Sequence, residues 1–448
     1  MRHAAITALA LLLTACGSGS SAPDTAAPAP LPEPTPETQA LALNCSWLLR
    51  SDQDLLNLAF PDEAATYWVA ALPALPGTRV RIDGEYPKSR YFSFNAYDPA
   101  LRPTDVITDY QLDPAEGGNP YRSAGAAGGR YVAYLRPGTA PEPREPNTLY
   151  AGGIDLLGRA ELPNPAWLVL YRIYLAEGSR SGGVPLPRLT LETADGGRTP
   201  VAFESCNPLP PEGVPSLLND LIRQTSNPLP GLPFPLAPEQ PQVVRFYGLP
   251  ETLRQLLSNA VGFPLPLGAI TGADTGGGFL SNVDNAYVTS IASRDKGSLY
   301  ILRGRAPRHA RVPSEAPLGA AQLRYWSLCT NEFVSQRYVD CLSDYEVPVD
   351  AQGFFTLVVS DPAQKPANAT DTNAIAWLPW GSIYPDSVLI YRHMLPSPHF
   401  TQAVQNVPYG TPAAEVMGDY LPRIAYCDKA TIEAAGSAAQ AFETCAAR

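Results

Sequence analysis

Residues 168–175 read Leu-Val-Leu-Tyr-Arg-Ile-Tyr-Leu, and residues 388–395 read Val-Leu-Ile-Tyr-Arg-His-Met-Leu. Both stretches are rich in branched or aromatic residues, which favour β-strands. In both, an arginine follows a tyrosine at the same position. Two such strands, far apart in one chain, indicate that the sequence repeats itself.

Three further pairs of segments match in the same order along the two halves of the chain. Each pair shares aromatic residues at corresponding positions. The pairs are 90–95 with 324–329, 108–112 with 343–347, and 130–135 with 354–359. An ordered set of matches predicts a tandem duplication.

The predicted fold is mainly β, with two tandem homologous modules that resemble β-sandwiches or jelly rolls. The chain of 448 residues contains 49 prolines and 35 glycines, which separate short strand-like runs. The modules are expected at 41–206 and 281–448, the second ending in a helix. Residues 207–280 predict a Pro-rich connector, with short helices at 214–224 and 251–260.

The N-terminus has the pattern of an export signal. A basic start is followed by an apolar run from Ala4 to Ala15, too short to span a bilayer as a helix. Leu13-Thr14-Ala15-Cys16 resembles the bacterial lipobox, which implies that 1–15 is a signal peptide and that Cys16 carries a lipid.

The lipid would hold the chain to a membrane, its first expected partner. Residues 16–40 are rich in Ser, Ala, Pro, Thr and Glu and lack apolar periodicity, and they predict a flexible tether. Gly17 stands after the cysteine. By resemblance to lipoprotein sorting, this favours the outer membrane of the cell envelope.

Six cysteines remain after Cys16, an even number that predicts disulfides in an exported chain. Their positions favour the pairs Cys45–Cys206, Cys329–Cys341 and Cys427–Cys445. Asp428 is expected to cap a helix inside the last pair. None of the spacings resembles a zinc site, so no metal is predicted.

Charge and motifs disfavour several function classes. Lys and Arg total 32 against 43 Asp and Glu, a net charge of −11, which argues against a nucleic-acid partner. The glycine run at 275–278 lacks the Lys-Ser/Thr of a phosphate loop. No cofactor is predicted.

The second half resembles an uncharacterised bacterial domain-of-unknown-function family. The resemblance rests on Arg324-Tyr325-Trp326-Ser327, Ala376-Trp377-Leu378-Pro379, Gly381 and the strand 389–396. That family carries a Tyr-Trp-Ser strand, Asn-Trp-Leu-Pro and Leu-Arg-Leu-Tyr-x-Pro. The resemblance implies a β-sandwich module of exported proteins and no established reaction.

The repeated arginines, Arg172 and Arg392, share a strand face with apolar residues. A buried guanidinium needs a carboxylate partner. Asp109 and Asp344 are the other repeated charges in register. We therefore predict one ion pair inside each module, Asp109 with Arg172 and Asp344 with Arg392; ligand binding is the alternative role.

A catalytic group could be assembled from Ser327, His393 and Asp344, which are expected on neighbouring strands. His393 stands where the first copy has Ile173. The alternative is that Ser327 packs in the fold and that His393 is a surface histidine beside a structural arginine.

Two sets of residues are candidates for ligand binding. Basic residues could hold phosphate or carboxylate groups of an envelope glycolipid or acidic glycan, or lie in a solvated loop. They are Arg305, Arg308, His309 and Arg311, with Arg303 nearby. Tryptophans could form a sugar-stacking platform, or pack in the core. They are Trp326, Trp377 and Trp380.

Two functions remain. The first is an envelope lipoprotein that binds a glycan, lipid or protein partner through a surface between its β modules. The alternative is an exported hydrolase with its site in the second module. A hydrolase requires a histidine within reach of a carboxylate and a hydroxyl, whereas a binding module requires an exposed aromatic or arginine patch.

Overall fold

The structure, a computed structural model, describes most of the chain after residue 45. The described residues are 46–52, 60–99, 101–123, 125–126, 128–155, 161–162, 164–202, 237–248, 280–310, 321–332, 336–381 and 385–448. The signal peptide, the tether, Cys45, Cys206 and the helices predicted at 214–224 and 251–260 lie outside this set.

Strands dominate both halves, which confirms the mainly β prediction. The first module contains β1 (Leu49–Ser51), β2 (Ala65–Pro73), β3 (Thr78–Glu85), β4 (Ser89–Tyr97), β5 (Pro103–Thr108), β6 (Pro114–Glu116), β7 (Arg130–Pro137), β8 (Thr148–Ala151), β9 (Ile154–Asp155), β10 (Glu161–Leu162), β11 (Ala166–Ala176), β12 (Arg188–Thr193) and β13 (Arg198–Pro200).

The second module contains β14 (Val244–Phe246), β15 (Asn285–Ser293), β16 (Leu299–Arg305), β17 (Leu323–Glu332), β18 (Tyr338–Ser343), β19 (Phe354–Ser360), β20 (Ala376–Pro379), β21 (Asp386–Pro396) and β22 (Arg423–Cys427). Its helices are α1 (Ala413–Met417), α2 (Lys429–Glu433) and α3 (Ala438–Ala446). Single 3₁₀ turns lie at Asp109–Gln111, Pro362–Gln364, Asp371–Asn373, Val404–Asn406 and Gly418–Tyr420.

The two modules share one sheet topology. Strand order β1-β2-β11-β4-β5 in the first corresponds to β14-β15-β21-β17-β18 in the second. The opposing sheets also correspond: β3 pairs with β7, which pairs in parallel with β8, just as β16 pairs with β19, which pairs in parallel with β20. The strand order supports the tandem duplication.

One residue face of each central strand fills the sandwich core. On β11, Trp167, Val169, Tyr171 and Ile173 pack against residues of the opposing sheet. The alternate face of β11, which carries Arg172, points out of its own sandwich because successive strand residues face opposite ways. This face is buried as well, since Arg172 is only 5% exposed.

The C-terminal region confirms two of the disulfide predictions. Cys329 and Cys341 join facing positions of β17 and β18, and Cys427 ties β22 to Cys445 on α3. Asp428 caps α2 by accepting the Thr431 N–H at 2.9 Å. The Cys45–Cys206 pair lies outside the described residues.

The connector prediction needs one correction. Residues 244–246, expected in the connector between its two predicted helices, form β14, which pairs with β15 at the edge of the second module's sheet. The backbone of three extended residues can form hydrogen bonds to the unpaired groups of an edge strand, and Val and Phe favour β-structure. Of the described helices, none is both long and apolar enough to cross a membrane.

Candidate functional site

The repeated charges pair between the modules rather than within them. Arg90 of β4 binds Asp344, with Nη1 2.5 Å from Oδ1. Reciprocally, Arg324 of β17 binds Asp109, with Nη1 3.1 Å from Oδ2. The predicted pairs Asp109–Arg172 and Asp344–Arg392 are therefore wrong. Arg90 and Arg324 occupy matched positions in the repeat, a signal that could have identified them.

Both reciprocal pairs have the same local geometry. The Phe92 N–H donates to Asp109 at 3.0 Å, and the Trp326 N–H donates to Asp344 at 3.2 Å. The side chains of Arg324 and Asp109 are completely buried. Burial raises the pKa of Asp109 to about 6 and also raises the pKa of Asp344, although the arginines oppose this shift.

Arg392 and Arg172 have different partners at the same junction. Arg392 forms an ion pair with Asp62, a fully buried carboxylate. Arg172 donates instead to the Tyr97 hydroxyl and the Leu280 carbonyl. Among the described residues, no carboxylate forms an ion pair with Arg172.

This difference follows from one substitution between the copies. Asp62 and Asn282 each lie three residues before a strand, β2 or β15, and accept the corresponding backbone hydrogen bonds. Each also accepts a hydroxyl from the other module, Tyr325 to Asp62 at 2.9 Å and Tyr91 to Asn282 at 3.2 Å. An amide at 282 therefore leaves Arg172 without the carboxylate that Arg392 has.

A shared apolar cluster fills the centre of the junction. It contains residues of both modules: Ala65, Tyr67, Tyr91, Tyr174, Tyr325 and Met394. The rings of Tyr174 and Tyr325 lie 5.6 Å apart. Tyr91 and Tyr325 directly follow Arg90 and Arg324 in the chain, so the reciprocal ion pairs and this cluster belong to one buried interface between the modules.

The proposed catalytic group is not formed. Ser327 faces Arg392 and Trp326 faces His393 across β17 and β21, so Ser327 and His393 point to opposite faces of the sheet. Ser327 donates to Asp62 at 2.7 Å. Asp344, the third candidate, is held by Arg90. These positions contradict the hydrolase site predicted from these residues.

His393 is a core residue instead of a surface histidine. It is fully buried, and its Nδ1 accepts the Val404 N–H at 3.3 Å. Burial lowers the pKa of His393 to about 3. The ring is therefore neutral at physiological pH. His399 is exposed.

The prediction of a sugar-stacking tryptophan platform is also wrong, and for two of the three rings the alternative, packing in the core, is correct. Trp326 and Trp380 are buried, with 1% and 0% exposure, and the Trp326 ring stacks on Phe355. Trp377 is half-buried, and the Lys365 ammonium lies 4.5 Å from its ring centroid. Tryptophan rings have large apolar surfaces, and burying these surfaces in the core is favourable.

The basic cluster separates into several environments. Arg303 pairs with Asp350, and Arg305 lies 3.6 Å from Asp419. Arg308 is exposed, and Arg311 lies outside the described residues. His309 places Nδ1 3.4 Å from Asp344 Oδ1, which brings it to the module junction.

At this edge of the junction an exposed ring meets charged side chains. Tyr345 is 59% exposed, and the Arg90 guanidinium lies 5.9 Å from its ring centroid. The matched residue of the first module, Tyr110, is half-buried. We call Arg90, Arg308, His309, Asp344 and Tyr345 the junction platform. Three of these residues, Arg308, His309 and Asp344, were sequence candidates, whereas Arg90 and Tyr345 were predicted only as parts of the matched segments 90–95 and 343–347.

One group of described residues has metal-ligand atoms close together. Asp62, Cys329 and Cys341 place these atoms within 4.8 Å of one another. The two cysteines form a disulfide and Asp62 holds Arg392, so neither thiolates nor a free carboxylate are offered. The arrangement does not fit a metal ion.

No protein-family model and no curated protein matches the chain. Solved structures similar to it include an uncharacterised protein from Burkholderia cenocepacia, 13% identical, with a TM-score of 0.44 over 88% of this chain and 85% of that one. Another is the VPA0106 protein from Vibrio parahaemolyticus, 13% identical, with a TM-score of 0.39 over 83% and 92%.

Proposed function

We propose that the protein is an exported, lipid-anchored binding protein that holds an acidic envelope glycan against the junction platform. The observation that carries this proposal is the exposed Tyr345 ring beside the Arg90 guanidinium. An exposed aromatic surface is one of the features expected of a binding module, and here Tyr345 provides it.

The platform combines the two kinds of contact that a glycan uses. An exposed aromatic ring offers a flat apolar face to a sugar ring, together with a hydroxyl at its edge. His309 is partly exposed and Arg308 is exposed, and both side chains carry N–H groups of the kind that bind carboxylate or phosphate oxygens. The Arg90–Asp344 ion pair is nearly buried and holds the base of the platform in place.

The location is part of the same proposal. The apolar run that ends at Ala15 supports export, Cys16 after it supports lipid attachment, and Gly17 supports the outer membrane. A lipid on Cys16 and a tether over 16–40 would keep the modules close to the membrane glycans that the platform is proposed to bind.

Replacing Tyr345 by alanine is expected to weaken glycan binding about tenfold, because the ring contributes roughly 1–2 kcal/mol of contact. The measurement is titration calorimetry of the full-length protein in detergent with an oligogalacturonate hexamer and with neutral maltohexaose. We expect the acidic hexamer to bind more tightly than the neutral one.

Tyr409→Ala is the matched control, because Tyr409 is another exposed tyrosine of the second module, at 39% exposure. It should bind both sugars like the wild type. The proposed platform would be refuted if Tyr345→Ala and wild-type protein bound the acidic hexamer with equal affinity. It would also be refuted if the wild-type protein bound neither sugar.

A further inference from the structure

An open cleft of about 900 Å³ lies on the first module, outside the junction platform. Its walls come from the ends of β3, β7, β12 and β13, with Thr139 and Tyr150 at its side. These strands belong to a six-stranded sheet of order β13-β12-β3-β7-β6, with β8 beside β7. On β3 the core positions are Val80 and Ile82, so Arg79 points to the outer face of this sheet.

A row of charged side chains crosses this outer face. Arg198 faces Glu192 across β13 and β12, and Glu192 faces Arg79 across β12 and β3. Side chains at facing positions of neighbouring strands lie close enough to interact. Glu192, only 6% exposed, is therefore held between two guanidiniums, 2.8 Å from Arg79 and 3.1 Å from Arg198.

The cleft carries an excess of positive charge. Among the described residues, three arginines line it, Arg79, Arg136 and Arg198, together with two carboxylates, Glu145 and Glu192. This excess is local, because the whole chain has a net charge of −11. A planar guanidinium is suited to bidentate binding of carboxylate and phosphate oxygens.

Two of the arginines present donors to the cleft. The Arg198 side chain is 68% exposed and reaches Glu192 through Nε, which leaves its two terminal nitrogens available. Arg136 is 37% exposed and contacts Glu145 through Nε at 3.3 Å and through Nη1 at 3.4 Å, so its Nη2 is the terminal nitrogen that Glu145 does not engage. Arg79 is fixed, since its guanidinium lies 4.3 Å above the Tyr134 ring. The site is therefore partly preorganised.

We propose that this cleft is a second binding site, which takes a sugar unit bearing an oxyanion, either a uronic acid or a sugar phosphate. The oxyanion lies between Arg136 and Arg198, and the neighbouring Thr139 hydroxyl faces the sugar hydroxyls. Glu192 orients the arginines and does not contact the ligand.

The test uses full-length protein carrying Tyr345→Ala, so that the junction platform does not contribute. Titration with glucuronic acid, glucose 6-phosphate and glucose separates the two oxyanions from the neutral sugar. We expect at least one of the two acidic sugars to bind, and glucose to bind at least tenfold more weakly. Arg136→Gln and Arg198→Gln should each weaken acidic-sugar binding about tenfold.

Arg188→Gln is the matched control, since Arg188 is an exposed arginine of the same strand as Glu192 and does not line the cleft. It should bind like the parent protein. Binding of neither acidic sugar, equal binding of glucose, or unchanged affinity in both arginine variants overturns the proposal. The outcome of this test does not depend on the junction platform, because every protein in it already lacks the Tyr345 ring.

Discussion

Replacing Arg392 by methionine is expected to lower the free energy of unfolding by about 3–5 kcal/mol. The substitution leaves Asp62, a fully buried carboxylate, without its cation. The hydroxyls of Tyr325 and Ser327 still donate to Asp62, but they carry no positive charge. An uncompensated buried charge is among the most destabilising changes in a protein interior.

Urea unfolding of the two matched variants provides the measurement. Arg172→Met removes the equivalent guanidinium of the first module, which binds a hydroxyl and a carbonyl instead of a carboxylate. Its cost should be about 1–2 kcal/mol. Adding Asp62→Asn to Arg392→Met removes the unpaired carboxylate, since the other copy has an amide, Asn282, at this position, and should restore part of the loss. Equal costs for the two arginines would contradict the assigned pairing.

The second large effect concerns acid sensitivity. His393 has a pKa of about 3 in the folded protein, against 6.5 for the free side chain, because burial penalises the charged ring. Below pH 6.5 the unfolded state therefore binds a proton that the folded state does not. Stability from this histidine is full above pH 6.5 and is lost as pH falls, by about 4 kcal/mol at pH 3.

The variant His393→Ile, which carries the residue found at Ile173 of the first module, should lose most of this slope. It forfeits the hydrogen bond from the Val404 N–H and is expected to be less stable at pH 7. Unfolding curves between pH 7 and pH 4 measure the difference. His399→Gln, at an exposed histidine, should keep the wild-type slope. A His393→Ile slope as steep as the wild type would contradict this assignment.

The sequence was sufficient to predict most of the strands and their repetition in the two halves of the chain. The alternation around Tyr171 and Arg172 correctly predicts opposite faces, since one side chain enters the sandwich core and the other leaves it. The disulfide between Cys329 and Cys341 followed from its place at a strand connection. These features depend on local pattern, which a single chain displays directly.

The partners of the repeated charges could not be found in this way. Both faces of β11 are buried, one in its own sandwich and one against the second module, so burial alone does not show where Arg172 points. Asp62 is not a repeated charge, because the other copy has Asn282 at this position, so the repeat does not indicate it. The reciprocal pairing depends on how the modules dock, which strand patterns do not record.

The candidate sites depend on the same long-range geometry. Tyr345 and Tyr110 match in sequence, yet only Tyr345 is exposed at the junction. The charged row of the first module joins Arg79 to Glu192 and Arg198, which are more than a hundred residues away along the chain. Only the strand order places them side by side. The sequence therefore indicates which residue types are suited to a binding site, but it does not show which of them the fold brings together.

The central claim is that Asp109 and Arg324 hold the two modules together. A double-mutant cycle with Asp109→Asn and Arg324→Met, followed by urea unfolding, tests it most directly. We expect a coupling free energy of about 2 kcal/mol or more for this pair. Asp109→Asn and Arg172→Met should be additive within about 0.5 kcal/mol. Coupling of Asp109 to Arg172, with additivity toward Arg324, would contradict the reciprocal interface.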